Sequence, residues 1–245
     1  MSVHARALSE PTADLSCAGI TAVIAAYNEG DTIGGVISGV RKHTPYLVEI
    51  IVVDDGSSDD TAARAEEAGA LVKKMPRNRG KGLAMRHGLD FVTTDLVLTI
   101  DAEGQDDPGE IPKLVAEMKP QTDMVIGSRF MGTFHEDSIE PVNKIGNRAL
   151  TWVFDKLYGV DLTDTQAGFR LFRTERFRSL ALQAEAYEIE TELTARVLAS
   201  GGQIVEVPVS RYARGSGVTS FRKIYHGVRI LKTMVAIRSE RGKGH

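Results

Sequence analysis

Ile20-Thr21-Ala22-Val23-Ile24-Ala25-Ala26 is an almost unbroken apolar run of strand length, and it ends abruptly in Tyr27-Asn28-Glu29. A run with no polar face suits a strand covered on both sides. Downstream, Asp31 is placed to cap a helix in which Ile33, Val36, Ile37 and Val40 fall at helical spacing. Val48–Val53 repeats the pattern as a second buried strand, with Ser57 or Ser58 placed to cap a helix reaching Ala70. The alternation continues through strand Leu71–Lys74, a helix that follows Arg77–Gly82 and reaches about Val92, and strand Leu96–Ile100. A helix started by Pro108 and ending near Pro120 then precedes strand Met124–Gly127. Short buried strands separated by amphipathic helices predict an α/β sheet with parallel strands and right-handed crossovers.

Beyond Arg129 the rhythm changes. A helix over Asn143–Tyr158, a short strand Leu171–Arg173, a helix Glu188–Ser200 ended by Gly201-Gly202 and a strand Gln203–Val209 are expected. A Gly/Ser-containing loop, Ser210–Ser220, leads into a last helix. Nothing repeats and no low-complexity linker interrupts the chain. The expected organisation is a flexible tail over 1–19, one domain over 20–220, and a basic amphipathic helix and tail over 221–245.

The 245 residues are 42% hydrophobic and 26% charged, which supports a sizeable core and excludes disordered, collagen-like and disulfide-scaffold classes. Cys17 is the single cysteine, so no intrachain disulfide can form and a reducing compartment is expected. The N-terminus lacks the apolar core of a signal peptide, and no apolar stretch approaches the ~18 residues that a spanning helix needs.

The net charge of −3 hides an asymmetry: residues 203–245 carry nine Lys and Arg against two Asp and Glu. In the last helix Ile224, Val228, Leu231 and Val235 share one face, surrounded by Arg222, Lys223, Arg229, Lys232 and Arg238. That pattern fits an interfacial helix on anionic headgroups, and equally a helix packed on the domain with a solvated basic face. Nucleic acid is disfavoured, because aromatics are scarce on that face and the body is acidic. The six histidines show no metal-ligand spacing.

In open α/β sheets ligands gather beyond the carboxyl ends of the strands. The residues there are Tyr27-Asn28-Glu29, Asp54-Asp55-Gly56-Ser57, Asp101-Ala102-Glu103 and Ser128-Arg129. Asp101, Glu103 and Gln105 supply hard oxygen ligands suited to Mg²⁺ or Mn²⁺, which can join protein carboxylates to a diphosphate. The same loop also reads as a polar cap for the helix at Pro108, through Asp106 and Asp107. Asp54-Asp55 reads either as a carboxylate pair for a ribose or base edge, or as an Asp-Gly turn. Gly-x-Gly-x-x-Gly is missing after the first strand, and Gly80-Lys81-Gly82 lacks the Ser/Thr and spacing of a P-loop.

Val23-Ile24-Ala25-Ala26-Tyr27-Asn28-Glu29, Val52-Val53-Asp54-Asp55-Gly56-Ser57-Ser58-Asp59-Asp60-Thr61, Asn78-Arg79-Gly80-Lys81-Gly82, Asp101-Ala102-Glu103-Gly104-Gln105 and Gly127-Ser128-Arg129 stand in that order. Together they resemble the inverting family 2 glycosyltransferases of GT-A fold, from about Ile20 to Ile237. Within that family, Asp164-Thr165-Gln166-Ala167-Gly168-Phe169-Arg170 is most similar to the polyprenyl-phosphate (dolichyl-phosphate) sugar transferases. The resemblance implies a GT-A catalytic domain over 20–220, built on a mostly parallel central sheet flanked by helices, and a donor pocket of Ala25, Tyr27, Glu29, Asp54, Asp55, Lys81, Asp101, Ala102 and Glu103. It also implies a metal-bound diphosphate at Asp101, Glu103 and Gln105, with Arg129 and Arg214 facing phosphates. Two residues depart from the family pattern: Ala25 stands where Pro is usual, and Glu103 where the second Asp of a DxD motif is usual.

A phosphate monoester, with a second pKa of about 6, is largely dianionic at pH 7 and can attack an anomeric carbon without giving up a proton. No obligatory general base is therefore expected, and Arg129, Arg170 and Arg214 would join the metal in offsetting the two anions. Asp164 is expected to position the sugar or Arg170, or simply to pair with a nearby arginine. The expected activity, carried by Asp101, Arg129, Asp164, Arg170 and Arg214, moves one sugar from a nucleotide-sugar donor to a polyprenyl phosphate. UDP-glucose or UDP-N-acetylglucosamine is the expected donor, and the cytosolic face of a membrane the expected place. The alternatives are transfer to a soluble or glycan acceptor, a GDP-mannose-dependent reaction, or a non-catalytic nucleotide-sugar-binding module.

Overall fold

The computed structural model describes residues 18–214 and 223–241, the side chains of 223–225 and 241 excepted. The expectations for residues 1–17 (Cys17 included), for 215–220, and for the side chains of Arg222, Lys223 and Ile224 fall outside these. In chain order come β1 (Ile20–Ala26), α1 (Gly30–His43), β2 (Leu47–Asp54), α2 (Thr61–Glu67), β3 (Leu71–Lys74), α3 (Lys81–Leu89) and β4 (Leu96–Thr99). A 3₁₀ turn at Pro108–Glu110 opens α4 (Ile111–Glu117), followed by β5 (Met124–Ser128) and α5 (Pro141–Tyr158). The chain continues through β6 (Arg170–Arg173), α6 (Thr174–Arg178), α7 (Ile189–Ala199), β7 (Ile204–Pro208) and α8 (Lys223–Arg241).

The strands form one seven-stranded sheet in the order β3-β2-β1-β4-β6-β5-β7. β1 alternates between two apolar layers, as its unbroken hydrophobicity requires. Ala22, Ile24 and Ala26 face α1 and α4, against Ile33, Val36, Ile37, Ile111 and Leu114. Val23 faces the opposite layer, with Met85 and Leu89 of α3 and Leu193 of α7. Each buried Val, Ile, Leu or Met side chain among these contributes about 1.5–3 kcal/mol relative to leaving it exposed.

The sheet is parallel except for β6, which runs antiparallel to both neighbours, β4 and β5. The sheet is thus mostly parallel and flanked by helices, as the resemblance implied. Thr99, at the end of β4, pairs with Arg170, at the start of β6. The Asp164–Phe169 loop therefore arrives on the carboxyl edge of the sheet, and the chain can only run back.

Three local expectations also change, and one short helix is new. α1 begins at Gly30, with Glu29 in the cap position and Asp31 inside the first turn. α2 begins at Thr61 rather than after Ser57 or Ser58, because those serines are engaged elsewhere: Ser57 N donates to Asp54 and Ser58 N to Asn28. The helix started by Pro108 is split into the 3₁₀ turn and a short α4 that stops at Glu117. The short α6 had no periodic signal to announce it.

α8 packs on α5 and α7 through Ile230, Met234 and Ile237, which join Phe154 and Ala195 in a third cluster. Val228, Leu231 and Val235 lie outside that contact and are exposed. Among the described residues no helix is long and apolar enough to cross a membrane.

Candidate active site

The carboxyl ends of β1, β2, β4 and β5 deliver their trailing residues to one rim. After β1, Asn28 takes a left-handed φ of 55°, and its N–H donates to Ser57 Oγ. The Glu29 N–H donates to Thr61 Oγ1, and Thr32 Oγ1 donates to Ala102 O (2.7 Å) while lying 3.2 Å from Glu29 Oε2. The β1 and β4 turns are thus pinned to each other. Tyr27 stands exposed on this rim and Ala25 is half-buried beneath it.

Asp54 accepts from Ser57 N, while Asp55 uses one oxygen for Arg79 N and the other for Gly80 N, both at 2.8 Å. Burial raises the Asp55 carboxyl above the usual range, against the pull of those two amides. Gly80 has φ +98°, and a Cβ there would sit 2.5 Å from Glu185 O. A Cβ on Gly82 would sit 2.7 Å from Ala184 O. The Gly-Lys-Gly sequence is therefore a site of close backbone approach, which seats the segment before α7 and aims Lys81 across the cleft.

Lys81 Nζ lies 2.6 Å from Asp101 Oδ1 and 2.6 Å from Glu190 Oε1. Burial opposes its charge, but the two carboxylates hold the ammonium above the ordinary lysine value. Burial likewise opposes ionisation of Asp101, yet Lys81 and Arg211 bring its carboxyl down to about 2. Glu103 goes the other way, raised by burial and by the neighbouring Asp101. Arg214 bridges Glu29 Oε1 and, at 3.2 Å, Glu103 Oε1. Arg211 pairs with Asp106 at 2.8 Å and stands 3.8 Å from both Asp101 and Glu103. Acids and cations here neutralise one another across a shared cleft.

Gln105 is turned away from the Asp101–Glu103 pair. Its amide donates to Ser138 O and Tyr212 O and accepts from Arg211 Nη2 at 2.8 Å, so it ties down the strand of chain that carries Arg211 and Tyr212. Arg129 makes a bidentate pair with Asp164, Nε–Oδ2 2.7 Å and Nη2–Oδ1 2.8 Å. Of the open alternatives for Asp164, pairing with a nearby arginine is the one its geometry displays. Arg170 does not face the rim. Its guanidinium is buried and donates to Ala167 O, Thr165 O, Glu190 O and Thr194 Oγ1. Burial lowers it to about 10, partly offset by Glu190 and Asp164.

Two participants carry no signal in the sequence: Arg211 lies in a stretch expected to be a loop, and Glu190 in a helix with no motif of its own. Gly168, within the Asp164–Arg170 motif, gains a role of its own, since a Cβ there would collide with Asp101 Oδ1 and lie 3.0 Å from Cγ and Oδ2 of the same side chain.

Among the described residues no group of three or more His, Cys, Asp or Glu is gathered as a metal cage. Asp101 and Glu103 nevertheless offer two hard carboxylates, Glu103 with part of its side chain open to solvent. Such a pair fits a divalent ion that takes its other ligands from phosphate oxygens and water.

The profile of glycosyl transferase family 2 matches residues 21–180. Glycosyltransferase AglJ of Haloferax volcanii is 32% identical over 208 residues, covering 84% of this chain and 66% of that protein's length. A Methanococcus voltae protein named UDP-N-acetylglucosamine–dolichyl-phosphate N-acetylglucosaminyltransferase is 29% identical, over 86% of this chain and 94% of its own. Among solved structures, glucosyl-3-phosphoglycerate synthase of Mycobacterium tuberculosis, in complex with Mn²⁺, UDP and glucosyl-3-phosphoglycerate, superposes with a TM-score of 0.75. It is 23% identical, over 97% of this chain and 87% of that one, a likeness of fold.

Proposed function

This chain belongs to glycosyl transferase family 2 and has the GT-A fold, and from that premise we propose that it transfers one sugar, with inversion, from a UDP-sugar to a polyprenyl phosphate. The observation that carries the proposal is the Asp101–Glu103 carboxylate pair at the carboxyl edge, closed by Lys81, Arg211 and Arg214. Such a site can accept an anionic donor and an anionic acceptor by exchanging partners. The Methanococcus voltae relative's name supports a UDP-linked donor, UDP-N-acetylglucosamine or UDP-glucose, and a lipid phosphate acceptor.

Asp101 and Glu103 would hold the divalent ion, Mg²⁺ or Mn²⁺, which when bound neutralises the departing nucleoside diphosphate. Tyr27, Glu29, Asp54 and Asp55, with Ala25 and Ala102 beneath, would line the nucleoside side. Arg211 and Arg214, released from their carboxylates, would turn to the phosphates. Arg129, held rigidly by Asp164, would orient the acceptor phosphate. One acceptor oxygen forms the new bond to the anomeric carbon as the bond to the diphosphate breaks on the opposite face. The nucleophile is already an anion, so no proton has to be removed. Arg170 would act at a distance, by fixing the Asp164–Gly168 loop to α7.

Association with the cytosolic face of a membrane belongs to the same proposal, with the basic exposed side of α8 at anionic headgroups. The test is a panel of radiolabelled nucleotide sugars incubated with a lipid extract and Mn²⁺ or Mg²⁺. Label in the organic phase from a UDP-sugar is expected. Label only in a water-soluble product would replace the lipid acceptor with a soluble one.

A further inference from the structure

α5 is tied to the candidate site on one side and bare on the other. On its inner side Thr151 Oγ1 accepts from Thr165 N at 3.2 Å and shares a hydrogen bond with Thr165 Oγ1 at 3.1 Å, beside the Asp164 that holds Arg129. Over its N-terminal half, Lys144 Nζ lies 4.3 Å above the Phe134 ring and the Arg148 guanidinium 5.3 Å from the Phe130 ring. Both rings belong to the segment that follows Arg129. On the outer side Val142, Ile145 and Trp152 are 64%, 70% and 62% exposed. With the exposed Ala149 they recur at helical spacing and form one stripe.

Large apolar side chains gathered on a surface helix mark an interaction surface. Charge identifies the occupant. Lys144, Arg148 and Lys156 accompany the stripe against a single acid, Asp155, so the helix is cationic on a chain of net negative charge. An apolar stripe edged by basic residues, with a tryptophan on it, is the pattern of a helix lying in the headgroup layer of an anionic bilayer. α8 is less suited to lead: its outward Val228, Leu231 and Val235 include no aromatic and are 38–57% exposed.

We propose that the outer face of α5 is the leading surface by which the protein enters an anionic lipid bilayer, with α8 packed beside it at the headgroups, so that a lipid-borne phosphate reaches Arg129 from the membrane side. The second half of that statement rests on the polyprenyl-phosphate reading; the first does not.

Trp152 is the only tryptophan of the chain and therefore reports on this face alone. The full-length protein is titrated with vesicles of phosphatidylcholine and phosphatidylglycerol carrying brominated acyl chains, and with phosphatidylcholine alone. A blue shift and quenching of Trp152 are expected on the anionic vesicles, both weaker at high salt. Vesicle binding without quenching would place another face on the membrane, and absence of binding would remove the membrane; either overturns the proposal. A blue shift that grows with protein concentration without lipid, accompanied by a dimer in sedimentation velocity, would give the stripe to a second copy and also overturn it.

Ile145→Ser removes one exposed apolar side chain and leaves the core untouched. It is expected to weaken vesicle affinity about tenfold and to slow transfer to vesicle-borne polyprenyl phosphate. Turnover of a short, water-soluble isoprenyl phosphate is expected to stay unchanged. Failure of the wild-type protein to use either acceptor would sink the acceptor assignment, while the quenching result would still decide the membrane face.

Discussion

Arg129 and Asp164 form a buried two-point pair, the guanidinium donating through Nε and Nη2 to the two carboxylate oxygens, with the Arg129 N–H adding a third bond at 3.2 Å. Asp164 is itself held by its neighbours: its N–H and that of Thr163 donate to Glu206 on β7. The pair therefore fixes where a cation stands at the end of β5. Breaking a buried pair from one side typically costs about 3–5 kcal/mol, because the remaining charge is stranded.

From this pairing, Asp164→Asn and Arg129→Ala should each lower stability and kcat/KM, and the double variant should lose little more than the worse single one. Urea unfolding and steady-state kinetics on the three variants close the cycle. Independent, additive losses in kcat/KM would mean that Asp164 acts on the substrate itself, as a base would, and the base-free mechanism would fall.

Gly168 faces Asp101 with no room for a methyl group. Its φ lies outside the left-handed region, so alanine is acceptable to the backbone and the strain falls on the Asp101 carboxylate. Gly168→Ala should leave the melting temperature within a few degrees of wild type. Misplacement by about 1 Å commonly costs on the order of 10²-fold, and a loss of that size in metal-dependent transfer is expected. Wild-type dependence of rate on Mn²⁺ concentration would show that Asp101 does not hold the ion.

Arg170→Met separates an internal role from a rim role. The substitution takes the guanidinium donors from the carbonyls of Ala167 and Thr165, while Glu190 O and Thr194 Oγ1 keep the hydrogen bond between them. Each unsatisfied buried group costs about 1–3 kcal/mol. A drop in stability of at least that size is expected, with donor KM unchanged at a temperature where the variant remains folded. A donor KM raised tenfold in a stably folded variant would return Arg170 to the phosphates.

Much of the fold was legible because its central strands are buried on both faces: Ile20–Ala26 is bounded where its apolar run begins and ends, and β4 begins at Leu96 as expected. The direction of β6 was not legible, since four residues carry no sign of their partner's orientation and only the Thr99–Arg170 register reveals it. At the site, Asp101, Glu103 and Glu29 stand where strand ends were expected to gather polar residues, and Lys81 and Arg214, which only the resemblance had named, pair with them there. Arg211 and Glu190 could not be read in the same way. Each reaches the rim from a distant element, and hydrogen bonds that depend on the finished fold, such as Gln105 to Arg211, aim them there. Arg170 shows a related limit: an arginine six residues after an acid looks the same in sequence whether it faces a ligand or staples a loop.

A dianionic acceptor also dictates a pH profile. Asp101, held down to about 2 by Lys81 and Arg211, stays ionised through any practical assay range. If the acceptor supplies the acid limb, kcat/KM should fall tenfold per pH unit below about 6, where the phosphate monoester takes up its proton. A phosphonate acceptor of the same chain, with a higher second pKa, should move that limb upward by the difference between the two acceptors. Glu103 and Glu29 are the protein groups able to imitate the effect, since burial raises both carboxyls and their protonation would also remove negative charge from the site as pH falls. Their limb would stay fixed when the acceptor is changed. A limb that ignores the phosphonate would therefore assign the titration to the enzyme, and the acceptor would no longer be required to arrive as a dianion.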